Sequence, residues 1–132
     1  MSQENIEIIR RIYEAGNRGD WEAAFRNAPE DLEVTFQAGP NSGTHRGREE
    51  VQAVFEDLFS GFDFWIIEPL RFFESGDQVV AVVNNRLRPK GGTSGEFEYR
   101  NGHIWTIRDG MAVSLVGFPT PEEALEAAGL SE

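Results

Sequence analysis

The stretch "FEYRNGHIWTIRDGMAVSLVGF", residues 97–118, decides the fold. Its Asp109-Gly110 dipeptide is a strong hairpin signal between two alternating runs. One face of the leading run carries Phe97, Tyr99, His103, Trp105 and Ile107, and the other carries Arg100, Gly102, Ile104 and Thr106. In the following run Val113 and Leu115 alternate with Ala112, Val116 and Phe118. Neither face reads as solvated, and "VVAVV" at 79–83 is continuously apolar as well. Strands of this kind are covered on both sides.

Working outward, β segments are predicted over about 62–74, 77–90, 95–107 and 111–118, separated by the hairpin-type turns "SGD", "KGGTSG" and "RDG". Upstream, residues 3–18 place Ile6, Ile9 and Tyr13 on one face with Ile8 and Ile12 beside them, which predicts a helix ending at "NRGD". Asp20 can cap a second short helix, "DWEAAFRNA", with Trp21, Ala24 and Phe25 inward, and Pro29 stops it. "LEVTFQ" at 32–37 alternates as a half-buried strand, and "AGPNSGTHRG" follows as a loop. From Arg48, the spacing of Val51, Val54, Phe55, Leu58 and Phe59 predicts a third helix ending near Gly61. In "TPEEALEAAGL", Thr120 is the N-cap, Pro121 the first helical residue, Glu123 the third and Gly129 the stop of a short terminal helix.

Three helices with one early strand, then a four-strand antiparallel meander, make an α+β class in a single domain over 1–132. The three helices can cover one sheet face only. The other face is expected to be covered by a second copy in a homodimer.

Composition narrows the partners. Twenty-three acidic against twelve basic residues give a net charge of −11, which repels nucleic acid and anionic lipid. The absence of cysteine removes disulfides and thiolate chemistry. The N-terminus enters a charged amphipathic pattern directly, and no apolar run is long enough to span a bilayer. A soluble cytoplasmic protein is expected, with no nucleic acid or membrane partner.

The pieces "IRRIYEAGNRGDW", "HRGREEVQAVF", "GDQVVAVV", "HIWTIRDG" and "PEEALEAAGL", in this order and spacing, resemble the SnoaL-like polyketide cyclase group of the nuclear transport factor 2-like superfamily. The resemblance covers nearly the whole chain. It implies a cone-shaped, ketosteroid isomerase-like domain with a curved sheet packed against three helices, usually dimeric, with a pocket in the cone. It does not imply one reaction. Isomerase-like members carry an Asp base near the end of the first strand, where this chain has Phe36 and Gln37 in "VTFQAG". Many SnoaL-like relatives end the last strand with an aromatic, one residue and an Asp; here that piece is "FPT", with Phe118 and Thr120.

His103 is therefore the candidate catalytic residue, because a neutral imidazole among aromatics can act as base or hydrogen-bond donor. The competing reading is a hydrogen-bonded core or interface histidine. Tyr13, Phe36, Phe55, Trp65, Arg86 and Trp105 complete the candidate pocket: Tyr13 as a donor or a core residue, Arg86 as an anchor for a ligand carboxylate. Of Asn84 and Asn85, one points inward, and Arg88 reads as a solvated strand end. "GTHRGREE" could hold an anion through His45 and Arg46, but reads better as a helix entry in which Arg48 pairs with Glu49 and Glu50 on the surface. The two histidines lack metal-ligand spacing, and no cofactor motif is present. The expected ligand is a small, largely apolar, polyketide- or steroid-like molecule. It is either processed by acid–base isomerase, cyclase or hydrolase chemistry or held by a non-catalytic binding or dimerisation module.

Overall fold

The computed structural model describes residues 2–39, 41–91 and 95–130. In chain order the elements are α1 (Ser2–Asn17), α2 (Trp21–Phe25), β1 (Glu33–Phe36), β2 (Gly43–Arg46), α3 (Arg48–Ser60), β3 (Phe62–Ser75), β4 (Gln78–Pro89), β5 (Phe97–Arg108), β6 (Met111–Phe118) and α4 (Pro121–Ala127). The α+β expectation holds. Local chemistry sets the boundaries: Asp20 accepts from the Ala23 amide at 3.1 Å to start α2, and Thr120 accepts from the Glu123 amide at 3.2 Å to start α4.

The six strands form one curved sheet in the order β2-β1-β6-β5-β4-β3. The meander β3–β6 is antiparallel throughout, but β1 runs parallel to β6, so the sheet is mixed rather than wholly antiparallel. The chain leaves β1 through the β2 hairpin and α3, enters the sheet at its far edge, and reaches β1 again from the other side. Residues 43–46, expected as loop, are the edge strand β2. Its four residues carry no apolar alternation. It is held by its ladder to β1, by the Thr35–Thr44 hydroxyl contact at 2.9 Å and by the Arg46–Glu33 ion pair at 2.7 Å. On the opposite edge, Pro69 and a register shift between Pro69 and Arg71 interrupt the β3 ladder. Of the "KGGTSG" hairpin, residues 92–94 lie outside the described residues, as does Pro40 of the earlier loop.

The turn at Asp109-Gly110 has two residues, both with positive φ (51° and 75°), the type I′ geometry that suits a tight hairpin. It pairs His103 with Gly117 and Trp105 with Leu115. Those residues face the helices: Ile9, Ile12 and Tyr13 of α1, Trp21 and Phe25 of α2 and Val51 and Phe55 of α3 join Val79, Ala81, Val83, Trp105 and Leu115 in one core.

The outer face differs from expectation. The helix α4 packs across it, where Ala124 and Leu125 cover Val80 and Ile104 with Phe73 and Phe118 alongside. A second copy is therefore not needed to bury that part. Elsewhere the outer face carries ion pairs and hydrogen bonds, such as Arg88–Asp63 at 3.5 Å and Asn84 to Glu98 at 2.7 Å. Among the described residues, no helix is long and apolar enough to cross a membrane.

Gly102 is what lets α4 lie so close. A Cβ there would stand 2.5 Å from the Ala124 Cβ and 3.2 Å from the Pro121 Cα. Gly102→Ala is expected to cost about 1–3 kcal/mol through overpacking. The loss should appear as a lower urea midpoint with an unchanged m-value. An unshifted midpoint would mean that α4 is free to move outward.

Candidate functional site

Between the helices and the inner sheet face lies a cavity of about 290 Å³. Ile12, Tyr13 and Asn17 of α1, Trp21 and Phe25 of α2, and Phe55, Leu58 and Phe59 of α3 form one wall. Phe36, Trp65, Ile67, Asn85, Tyr99, Asn101, His103, Trp105 and Leu115 form the sheet wall, and Ala38, Gly39 and Asn41 close one side. The rings support one another in pairs, with Trp21 stacked on Phe55 at 4.8 Å and Phe59 stacked on Trp65 at 4.4 Å between centroids. This packing braces the walls without filling the space between them.

Two polar groups interrupt the apolar lining. At the deeper one, the Trp105 Nε1–H donates to the Tyr13 Oη at 2.9 Å, and the same Oη lies 2.6 Å from the His103 Nδ1. All three side chains are buried. Burial pushes the Tyr13 hydroxyl well above its ordinary range and pulls the His103 imidazole down to about 4. Among the described lining residues there is no Asp or Glu to oppose that shift, so both rings are neutral near pH 7.

At the second group, the Trp65 Nε1–H donates to Asn85 Oδ1 at 3.0 Å, and Asn85 Nδ2 donates to Asn101 Oδ1 at 2.8 Å. Asn17 braces the adjoining edge by exchanging two hydrogen bonds with the Ile67 backbone, each 2.9 Å. No fully buried side-chain nitrogen or oxygen among the described residues lacks a partner.

Of the candidates read from sequence, Tyr13, Phe36, Phe55, Trp65, His103 and Trp105 line one cavity. Arg86 does not. Its strand neighbour Asn85 takes the inward position, so the guanidinium lies on the outer face, over the Phe64 ring at 5.0 Å and 3.4 Å from Glu96. Asn84 likewise points outward. Arg48 makes no ion pair with Glu49 or Glu50 among the described contacts; its guanidinium donates to the Ala28 carbonyl at 2.8 Å, satisfying the chain end that follows α2. His45 is not among the lining residues; its Nε2 lies 3.0 Å from the carbonyl of Asn41, which is, and its Nδ1 3.6 Å from Glu50. Sequence reasoning missed Asn101, although it shares a strand face with Tyr99 and His103 and the alternation could have found it.

The His103 shift has a measurable sign. The folded chain resists the proton down to about pH 4, while the unfolded chain takes it near the ordinary value of 6.5. The His103 contribution to stability should therefore be constant above about pH 6.5 and fall as pH drops towards 4, by on the order of 3 kcal/mol in full. His103→Gln should show a shallower loss between pH 7 and 5 in parallel urea titrations. Equal slopes for the two proteins would place the titration elsewhere.

The comparisons with known proteins agree with this architecture. A family model described as SnoaL-like domain matches residues 9–115. Among solved structures, an NTF2-like protein from Burkholderia xenovorans is 28% identical, covers 87% of this chain and 88% of its own, and superposes with a TM-score of 0.70. TerC, co-crystallised with polyporic acid, is 24% identical over 86% of this chain and 89% of its own, with a TM-score of 0.76. A protein with a ketosteroid isomerase-like fold from Catenulispora acidiphila, in complex with trimethylamine, is 17% identical over 95% and 94%, with a TM-score of 0.78. Among proteins of curated function, none matches in sequence. The family match runs from the middle of α1 into β6, and this chain belongs to the SnoaL-like domain family.

Proposed function

We propose that this chain binds a small, largely apolar, ring-containing molecule of polyketide- or steroid-like character between its helices and its sheet. The observation that carries the reading is the open cavity itself, about 290 Å³ with aromatic walls. That is the lower end of the size range of ligand pockets, about 300–1,000 Å³, and suits a molecule of few rings. The small molecules bound by two proteins of similar fold, polyporic acid and trimethylamine, support a ligand-holding role for the shape.

A second reading, acid–base turnover, is favoured by one observation: His103 is the single histidine among the lining residues, where no carboxylate competes with it. In that case His103→Phe abolishes turnover while binding survives.

A screen of sterols, phenolic polyketides and aryl epoxides tests the binding reading. A ligand is expected to quench the fluorescence of Trp21, Trp65 or Trp105, which all line the cavity, and to raise the melting temperature. Absence of both effects across the screen would leave a scaffold domain.

The homodimer belongs to the same reading. Phe97 and Tyr99 are 47% and 43% exposed, two residues apart on the same face of β5 as His103 and not on the outer face first expected to pair, and large apolar rings grouped in this way favour association. Light scattering at micromolar concentration is expected to give twice the chain mass, and a monomer mass would remove the dimer.

A further inference from the structure

Two hydrogen-bond chains end at the cavity, and each begins at a tryptophan. An indole N–H can only donate. That restriction sets the sense of the bond it makes and orients any amide whose oxygen accepts from it.

In the first chain, Tyr13 Oη accepts from Trp105 and lies 2.6 Å from His103 Nδ1, and the reverse sense, Nδ1–H to Oη, would leave the buried hydroxyl hydrogen with no recorded acceptor among the described residues. Nδ1 is thus the accepting nitrogen, and a neutral imidazole so held carries its proton on Nε2. No protein partner of Nε2 is recorded among the described residues, and no fully buried polar side-chain atom is unpartnered, so Nε2 opens into the cavity that His103 lines. In the second chain, Asn85 turns its oxygen to Trp65 and must offer its amide nitrogen to Asn101 Oδ1. The free end of Asn101 is therefore its NH2 group. Asn101 and His103 lie on the same face of β5, two residues apart, or about 7 Å along the strand. Donors at that separation can reach one oxygen, or two oxygens on one ring.

We infer that the cavity presents a paired donor site, the Asn101 amide and the His103 Nε2–H, and selects ligands whose polar end is a hydrogen-bond acceptor such as a ketone or quinone oxygen. The inference rests on the cavity reading above and goes further by assigning the polarity of the bound group. Trp65, Asn85, Tyr13 and Trp105 are positioning residues that hold both donors in one sense. In any turnover His103 would meet the substrate first as a donor to an oxygen on which negative charge develops.

Three ring systems of nearly equal size separate polarity from apolar fit: 1-tetralone (acceptor only), tetralin (neither) and protonated 1-aminotetralin (donor only). Calorimetric titration at pH 7 is expected to rank the ketone roughly tenfold tighter than tetralin, with the ammonium weakest, since two hydrogen bonds to the carbonyl outweigh the cost of desolvating it. Asn101→Asp keeps an oxygen for Asn85 and replaces the free NH2 with an acceptor. It should invert the order of ketone and ammonium while tetralin affinity changes little. If that variant fails to fold, Trp65→Phe decides: without the indole donor the two amides are free to rotate, and the ratio of ketone to tetralin affinity should shrink several-fold. Tetralin binding as tightly as the ketone in the native chain, or an unchanged order in Asn101→Asp, overturns the polarity and leaves the cavity reading intact. No saturable binding of any of the three overturns both.

Discussion

The two residues of the Asp109-Gly110 turn control more of this molecule than their size suggests. A strand slipped by one residue turns every side chain to the other face. With left-handed backbone at both positions the hairpin closes tightly, and a single irregularity between Thr106 and Ile107 adjusts the register beyond it. The imidazole of His103 then stands opposite Gly117, whose missing side chain leaves room for the His103 and Phe36 rings, and Trp105 stands opposite Leu115 on the core side. The polar chains, the cavity and the placement of α4 on the opposite face all inherit that choice.

Much of this was legible in the residues. Helix spacing, capping at Asp20 and Thr120, and the Gly-containing turns located every helix and the four long strands to within a few residues. What the pattern lacked was signal, or distance information. The strand β2 escaped because "GTHR" has no inward-facing apolar row and is held by backbone pairing to β1. The parallel β1–β6 pair could not be read because it joins segments far apart in sequence, which local periodicity does not encode. The cover supplied by α4 was missed for a different reason. Its apolar residues suggest a short terminal helix, but only the bare backbone at Gly102 shows that it can approach the outer face. Arg86 was misplaced by a single step of alternation, the same step that put Asn85 inside.

The site also shows a tension in the chain's electrostatics. A surface of net charge −11 surrounds a cavity whose described lining residues hold neither Asp nor Glu. Buried polar atoms there are neutral and partnered, which limits the cost of keeping them out of water to what their hydrogen bonds can offset. The aromatic walls gain contact energy from ring-to-ring packing while still leaving a void. Stability and an open interior are reconciled by building the walls as braced pairs rather than as a filled core.

The interrupted ladder of β3 has a consequence for assembly. An exposed sheet edge is a template for further strands, and this sheet has two edges. On one, Pro69 lacks an amide hydrogen and the neighbouring register shift bends the strand, so an incoming chain would meet a broken row of donors and acceptors. On the other, β2 offers four residues flanked by charged and hydroxyl side chains. Growth by strand addition is therefore disfavoured at both ends. A homodimer of the kind proposed above would therefore use a face of the sheet, where packing closes on itself in a finite pair instead of propagating into a fibre.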